Sequence, residues 1–342
     1  MVEKKGRKQK LLGAGSYAYT ITPPRPVHPI PFQGNSSMIE RITKQYLIEI
    51  KRGEYTRHIF DPKNVMSSPI LHLRPVQKHP RQTDQGYKYT MVLPYREKSL
   101  LDFLDENQKS SPLMYWNLLT QFQMILEGIV RIHQKRWIHR DIKLENFLVD
   151  SFPNDQFRLY LVDWAMALPF KKVYQNNESH WHESTQYNHP PEYKMYAIFK
   201  NILPLHTSFS REYLSIDPNI VRFLLLIDPE YEKHLDQAYR KMTRMFRELV
   251  DREPLKLDLA PKVDVYSLGV ILMIGYIVWM RDSLSPTSTL AKKNVSLIRH
   301  MLDPFPLSRF SAQQALDHLN KILTMAPPSM LTMTDDFKKV KI

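Results

Sequence analysis

Cysteine is absent from the 342 residues of this chain, and glycine is scarce, with 9 residues. The absence of cysteine excludes disulfide bonds, thiolate metal ligands and a cysteine nucleophile. It also favours an intracellular location, cytoplasmic or nuclear, over secretion. The first ten residues carry positive charge without the apolar segment of a signal peptide, so we expect no export signal.

Long apolar runs are absent as well. The longest uncharged apolar stretch, from Val265 to Met280, is shorter than the roughly 20 residues that span a bilayer. It therefore predicts a buried helix, and we expect no role at a membrane. With 43% hydrophobic residues, the chain can bury a substantial core.

Acidic residues are outnumbered, since 35 Asp and Glu stand against 48 Lys and Arg and leave a net charge of +13. Positive charge favours acidic partners such as phosphates, acidic peptides or nucleic acid. The sequence has no RNP-like aromatic pattern and no zinc finger, so nucleic acid is not the ligand we expect.

The first third of the chain contains several strand-like segments. Such residues flank Gly13 and Gly15 in "LLGAGSYAYTI". After a proline-rich loop, "SMIERI" and "QYLIEIK" alternate apolar and charged residues. "PILHLRPV" and "YKYTMVLPY" then predict two further strands around a polar loop.

The next region changes to a helical pattern. Apolar residues recur at spacings of four and three, at Leu118, Phe122, Ile125, Ile129 and Ile132. This amphipathic helix ends just before "WIHRDIKLENFLVD", after which "NFLV" and "RLYLVDWA" predict a short β-pair. A β-rich part followed by a mainly helical part predicts an α+β fold of two lobes with a cleft between them.

Three polar features, in chain order, suit phosphoryl transfer. A glycine turn comes first, a cluster of Asp141, Lys143 and Asn146 follows, and Asp163 ends an apolar strand. Phosphoryl transfer requires a flexible backbone over the phosphates, a carboxylate near the attacking hydroxyl, and oxygen ligands for Mg²⁺.

Together these segments resemble a eukaryotic-type protein kinase from about Leu11 to about Leu323. "IHRDIKLENFLV" resembles the catalytic loop, with Asn146 five positions after Asp141. "VDWAMA" resembles the metal-binding segment usually written Asp-Phe-Gly, and "HPPEY" stands where Ala-Pro-Glu closes the activation segment. "DPFPLSRFSAQQALDH" resembles the closing subdomain, in which the family pairs an arginine, here Arg309, with the motif glutamate, here Glu192.

The resemblance implies a bilobal kinase-like fold with a β-rich N-lobe and a mainly helical C-lobe. A basic tail at 1–10 would precede the N-lobe at 11–95. The C-lobe would cover 96–324, with an insertion at about 195–260, and a second tail would follow at 325–342.

The resemblance also implies roles for the polar cluster. Asp141 would accept or orient the substrate hydroxyl proton, Lys143 would neutralise charge on the transferring group, and Asn146 with Asp163 would hold Mg²⁺. Thr185 stands where serine/threonine kinases place a threonine. The expected activity is transfer of the ATP γ-phosphoryl group to serine or threonine of a protein substrate, and an acidic substrate is favoured. The alternative is a catalytically impaired kinase-fold scaffold or allosteric binding protein.

The residues that the resemblance assigns to ATP form a glycine-turn lid, a lysine with its glutamate partner, and a connection between lobes, together with one residue of "NFLV". In that order they are Leu12, Gly13, Ala14, Gly15, Ser16 and Ala18; Lys44 and Glu54; Leu93, Pro94 and Arg96; and Leu148.

The phosphate-binding lysine is the weakest part of the match. If "SMIERITK" is the family's third strand, Glu40 occupies the lysine position, and Lys44 is preferred to Lys51 or to no equivalent. Glu54 is preferred to Glu49 as its helix partner.

The insertion contains one amphipathic helix, predicted at about 231–250. Its apolar residues are Leu235, Tyr239, Met242, Phe246 and Leu249. The helix either packs on the C-lobe or docks a partner, and the sequence leaves both open.

Overall fold

The protein was analysed as a computed structural model. The residues it describes are 10–14, 19–22, 36–70, 72–75, 89–92, 94, 96, 98–109, 111–173, 187–192, 218–227, 229–249, 257–280 and 288–325. The predicted ATP contacts Gly15, Ser16, Ala18 and Leu93 lie outside these residues.

The strands predicted around the glycine turn and around the later polar loop form two antiparallel hairpins. β1 (Lys10–Ala14) pairs with β2 (Tyr19–Thr22), with a register irregularity between Leu11 and Gly13. β3 (His72–Pro75) pairs with β4 (Tyr89–Val92) in regular register. The strands predicted in "LLGAGSYAYTI", "PILHLRPV" and "YKYTMVLPY" are therefore confirmed.

Helix α1 (Ser36–Phe60) contradicts the third-strand interpretation of "SMIERITK" and the strand-like interpretation of "QYLIEIK". The segment is rich in Glu, Lys and Arg, which favour helical geometry, and it contains no proline. Its buried face at Ile50, Gly53, Arg57 and Phe60 follows helical spacing of three and four. The short apolar–charged alternation was mistaken for a strand pattern because it also fits a helix face.

The central part of the chain builds the scaffold of the charged loop. Helix α2 (Leu100–Glu106) begins with a capping box at Ser99, and α3 (Pro112–Gln134) begins with Ser111 as its cap. The predicted apolar residues of α3 are buried. The α3 prediction is therefore confirmed.

Short strands surround the loop that follows α3. β6 (Trp137–Ile138) pairs with β9 (Leu168–Pro169), which leads into the helical turn α4 (Phe170–Val173). β5 (Lys98–Ser99), β7 (Phe147–Phe152) and β8 (Gln156–Leu161) form one antiparallel sheet in the order β5-β7-β8. The predicted β-pair is β7–β8.

The last third is helical. Its elements are α5 (Pro218–Ile227), α6 (Tyr231–Leu249), α7 (Lys262–Met280), α8 (Thr289–Met301) and α9 (Ala312–Leu323). Helix α3 packs against both α7 and α9. Helices and a small sheet together make an α+β fold.

Helix α7 is buried around most of its circumference. By length and composition the segment Leu257–Met280 could cross a membrane, yet 78% of its most apolar window is buried inside the fold. Core helices of compact domains pass the same test. The prediction of a buried helix from Val265 to Met280 is confirmed.

The apolar face of α6 lies against the chain itself. Leu235, Tyr239 and Met242 are buried, and Lys241 lies 5.7 Å from the centroid of the Phe305 ring. The burial of these three residues in the chain's own core supports packing on the chain itself rather than docking of a partner through the apolar face.

Glu192 and Arg309 form a fully buried ion pair. Arg309 donates from Nη1 and Nη2 to the two carboxylate oxygens of Glu192, at 2.5 and 2.9 Å. It also donates to the carbonyls of Lys262 and Asp303 and lies over the Tyr266 ring. Burial disfavours the charged guanidinium, but Glu192 outweighs it and raises the pKa of Arg309. The predicted Glu192–Arg309 pair is confirmed.

Removing one partner should be costly. Glu192→Ala leaves Arg309 buried and uncompensated, so we expect the free energy of unfolding to fall by about 3–5 kcal/mol. Urea unfolding at neutral pH measures it. Glu230→Ala is the control, because the Glu230–Lys233 pair (3.2 Å) is exposed and should contribute no more than about 1 kcal/mol. Equal losses in both variants would contradict this assignment.

The buried carboxylate of Asp264, at the start of α7, fixes the charged loop to the core. Its oxygens accept the backbone N–H groups of His139 and Arg140, both at 2.9 Å. His133 Nε2 lies 3.1 Å from Oδ2. Burial alone would raise the pKa of Asp264, but the hydrogen bond and charge of His133 and the Arg140 N–H lower it overall.

A lowered pKa in the folded state gives a signed prediction. The carboxylate stabilises the fold above the unfolded pKa of about 3.9, and this contribution is lost as pH falls through the lower folded pKa. We expect Asp264→Asn to reduce the free energy of unfolding by about 2–4 kcal/mol at neutral pH.

The loss should shrink below about pH 4, as measured by urea unfolding across a pH series. The exposed Asp317→Asn variant should show no such change. A loss for Asp264→Asn that stays constant with pH would contradict the linkage.

Candidate active site

The charged loop begins where β6 ends and is shaped by two backbone features. Arg140 adopts φ 75°, a left-handed conformation that its N–H contact with Asp264 holds in place. A 3₁₀ turn, Leu144–Asn146, then leads directly into β7. The loop therefore projects its polar side chains from a rigid base.

Asp141, Lys143 and Asn146 meet on this loop. Asn146 Nδ2 donates to Asp141 Oδ2 and to the Asp141 carbonyl, both at 2.8 Å. Lys143 Nζ lies 3.0 Å from the same Oδ2 atom. One carboxylate oxygen is thus held by an amide and a cation, which fixes the orientation of the carboxyl group.

The buried His139 side chain accepts a hydrogen bond from the backbone of Asp141. It is fully buried, and the Asp141 N–H donates to its Nδ1 at 3.3 Å. Burial lowers the pKa of His139, although Asp264, Asp141 and Asp163 oppose that shift. We therefore treat the imidazole as neutral near pH 7.

Asp163 approaches this cluster from the end of β8. The Val162 N–H donates to the Asn146 carbonyl at 2.9 Å, which ties the two segments together. As a whole residue Asp163 is exposed to solvent, but protein surrounds its carboxyl group on several sides. This burial of the carboxyl group, and after it the charge of Asp141, raises the pKa of Asp163. The side chains of residues 141, 143, 146 and 163 therefore share one electrostatic environment.

Trp164 anchors the segment that contains Asp163. It is buried, its ring centroid lies 4.4 Å from that of His139 and 4.9 Å from that of Phe60, and its Nε1 donates to the Leu161 carbonyl at 3.2 Å. The left-handed residue of the segment is Asp163, at φ 56°. Ala165 is not left-handed, so alanine in place of the family's glycine causes no backbone strain there.

Sequence reasoning missed two residues that contact the loop from the stretch just before "HPPEY". The Leu144 N–H donates to Tyr187 Oη at 3.1 Å, and Tyr187 Oη donates to Glu145 at 2.9 Å. Asn188 Nδ2 donates to the Ile142 carbonyl at 2.7 Å. Both residues immediately precede "HPPEY", and only that position in the sequence could have indicated their role.

The predicted adenine-contact region is partly described. Pro94 and Arg96 are partly buried, and Arg96 Nε lies 3.3 Å from Asp150 Oδ2. The Arg96 guanidinium also lies 4.1 Å from the centroid of the Tyr160 ring. Leu148 is partly exposed on β7, where it pairs with Ser99 and Tyr160. Among the lid residues, the backbone of Leu12, Gly13 and Ala14 lies in β1.

The predicted pairing of Lys44 with Glu54 is wrong. Both residues belong to α1, and ten residues of helix separate them by about 15 Å along the axis. Glu54 instead binds Arg57 Nε at 3.0 Å and accepts the Ile70 N–H at 3.3 Å. Glu54 therefore braces the chain between α1 and β3.

Carboxylate and amide oxygens from Asp163 and Asn146 fit a magnesium ion, which prefers oxygen ligands. Burial, and after it the negative charge of Asp141, raises the pKa of Asp163. A divalent cation would relieve that repulsion. The donor set thus agrees with the metal that the sequence predicts.

Comparison with known proteins points to one family. A family model described as a protein kinase domain matches residues 55–194. A probable cyclin-dependent serine/threonine-protein kinase of Dictyostelium discoideum is 33% identical over 131 residues, which cover 35% of this chain and 19% of that protein.

Two further relatives agree. The human receptor-interacting serine/threonine-protein kinase 1 is 34% identical over 116 residues, covering 34% of this chain and 16% of the relative. A meiosis-specific serine/threonine-protein kinase of Schizosaccharomyces pombe is 42% identical over 55 residues, covering 16% and 12%. The matched segments thus span less than a fifth of each of these relatives.

The matched region contains the charged loop, the Asp163 segment and Glu192. These are the residues that converge in the structure and that the family motifs specify. Residues 55–194 of the chain thus match the protein kinase domain family, and the relatives support a member of the protein kinase superfamily.

Proposed function

We propose that this protein is an ATP-dependent serine/threonine kinase that transfers the γ-phosphoryl group to a protein hydroxyl with Mg²⁺. The observation behind the proposal is the joint placement of Asp141, Lys143 and Asn146 on one loop beside Asp163. The proposed site lies in a cleft between an N-lobe and a C-lobe.

Asp141 is the proposed acceptor of the substrate hydroxyl proton. Its contacts with Lys143 and Asn146, among the described residues, fall on Oδ2. We therefore assign Oδ1 to the substrate hydroxyl. An oriented carboxylate of this kind selects the attacking rotamer of the hydroxyl and receives its proton as the oxygen–phosphorus bond forms.

Lys143 is proposed to stabilise the charge of the transferring phosphoryl group. Its ammonium is held 3.0 Å from Asp141 and is about four-fifths buried on its side chain. A fixed cation in a partly desolvated site interacts strongly with developing negative charge. From this position the ammonium would stabilise the Asp141 carboxylate and also the charge on the phosphoryl oxygens.

Asn146 and Asp163 would hold Mg²⁺, which supplies charge neutralisation for the phosphate oxygens when bound. The hydrogen bond between the Asn146 carbonyl and the Val162 N–H keeps these two donors in register. The family match supports ATP and Mg²⁺ as the natural ligands. The net charge of +13 supports an acidic protein segment as the substrate.

A kinase-fold scaffold or allosteric binding protein is the second candidate, and one observation favours it. Glu54 is engaged by Arg57 and the Ile70 N–H, so the usual lysine–glutamate pair is not formed with that glutamate. Lys44 or Lys51 could still reach the phosphates without such a partner. Nucleotide binding and turnover distinguish the two functions.

Asp141→Asn tests the proposed chemistry. The amide keeps the size of the side chain but accepts a proton poorly, so we expect kcat to fall by at least about 100-fold. Autophosphorylation and a peptide-array substrate with radiolabelled ATP provide the measurement. Asp317→Asn, an exposed change on α9, should retain full activity. Retained activity in Asp141→Asn would refute the assignment of the base, and an inactive parent protein would favour the scaffold.

Asp163→Asn tests the metal site without requiring turnover. A non-hydrolysable ATP analogue should raise the melting temperature of the parent protein, and Mg²⁺ should increase that rise because ligands stabilise the state they bind. In Asp163→Asn, we expect Mg²⁺ to add nothing to the rise in melting temperature that the analogue causes. An equal response to Mg²⁺ in parent and variant would place the metal elsewhere.

A further inference from the structure

Helix α1 contacts the Asp163 segment directly, eight residues before the helix ends at Phe60. Arg52 Nη2 donates to the Ala165 carbonyl at 3.1 Å. The next residue, Gly53, faces the backbone of Trp164. The helix therefore meets the segment at the carbonyl groups of Trp164 and Ala165, one and two residues beyond Asp163.

Gly53 permits this approach because it has no side chain. A Cβ atom at that position would lie 2.5 Å from the Trp164 carbonyl oxygen and 2.8 Å from the carbonyl carbon. Both distances are shorter than van der Waals contact, and both involve backbone atoms. Any larger residue would push α1 away from the segment and lengthen the Arg52 hydrogen bond.

The C-terminal end of α1, at Phe60, is fixed to the core. The Phe60 ring lies so close to Gly128 on α3 that a Cβ there would be 2.5 Å from it. Arg131 on α3 donates to the Phe60 carbonyl at 2.6 and 3.1 Å. The same Phe60 ring contacts Trp164. Arg52 therefore belongs to a helix whose C-terminal end is anchored to α3.

Asp163 needs such support. Its φ of 56° lies in the left-handed region, which non-glycine residues hold at some energetic cost unless neighbouring groups define the backbone. The Val162 N–H bond to Asn146 defines the backbone on the upstream side. On the downstream side, the hydrogen bond from Arg52 to the Ala165 carbonyl holds the backbone in place.

We propose that Arg52 is a positioning residue through which α1 holds Asp163 in its metal-binding orientation, with Gly53 as the contact that makes this possible. The coupling between helix and metal-binding segment then runs through a guanidinium–carbonyl hydrogen bond. It does not require the lysine–glutamate pair, which Glu54 does not form with Lys44. This inference rests on the proposed function insofar as Asp163 is the metal ligand.

Two variants and a control test the proposal. Arg52→Ala removes the hydrogen bond but retains a strong helix former, and Arg52→Lys restores one cationic donor of similar length. Lys63→Ala, in the exposed turn after α1, is the charge-matched control. Gly53→Ala leaves Arg52 in place but displaces the helix.

The first measurement is the Mg²⁺ concentration that gives half of the nucleotide-induced rise in melting temperature. For Arg52→Ala and Gly53→Ala we expect it to increase by about 10-fold or more, the usual effect of removing a group that orients a metal ligand. Arg52→Lys should recover most of the loss, and Lys63→Ala should match the parent. A merely structural role would lower the melting temperature without changing the Mg²⁺ requirement, and that result would overturn the proposal.

The second measurement needs no nucleotide. The indole N–H resonance of Trp164, identified among the five tryptophans by its loss in Trp164→Phe, reports the segment's conformation. It should move in Arg52→Ala and return in Arg52→Lys. An unchanged resonance in folded Arg52→Ala would refute the contact itself. A parent protein without any nucleotide response would instead refute the proposed function, while this resonance would still test the contact.

Discussion

The organisation of the site depends on a buried carboxylate at the start of the core helix. Asp264 accepts two consecutive backbone N–H groups, from His139 and Arg140, immediately before Asp141. A buried carboxylate without such donors would be strongly destabilising. The hydrogen-bond requirement of Asp264 therefore fixes where the loop turns, and the turn fixes where Asp141 lies.

The opposite face of the loop is held by a different part of the chain. Asn188 contacts the Ile142 carbonyl, and Ser267 on α7 donates to the Asn188 carbonyl at 2.9 Å. Glu192, four residues later, is held by Arg309. Buried hydrogen bonds thus join helix α7, the charged loop and residues 188–192. A displacement of one of these three elements would leave polar groups of the other two unpaired.

The sequence predicted those elements whose pattern has only one physical interpretation. Helix α3 shows unambiguous apolar spacing, and α7 is so apolar that only a buried or membrane position suits it. The Asp141–Asn146 spacing is local, so the loop alone brings the two residues together. Even the long-range Glu192–Arg309 pair followed from family motifs, although nothing local connects the two residues.

Long-range contacts without a motif could not be predicted. Helix α1 was misread because a few alternating residues fit a strand as well as a helix, and the error carried over to the pairing of Lys44 with Glu54. The contacts of Tyr187 and Arg52 depend on chain segments more than 40 residues away. Neither residue type is unusual in its local sequence, so only the fold reveals what each binds.

The charge of the site is opposite to the charge of the chain. Asp141, Asp163 and Asp264 surround a histidine whose pKa burial lowers, so His139 does not cancel their negative charge. Lys143 is the cation in contact with Asp141. A net charge of +13 predicts attraction of anions to the chain as a whole, whereas the carboxylates of Asp141 and Asp163 repel them. If the chain binds a nucleotide as proposed, the phosphates would approach these two carboxylates together with a cation, so the local charge would favour joint binding of metal and nucleotide.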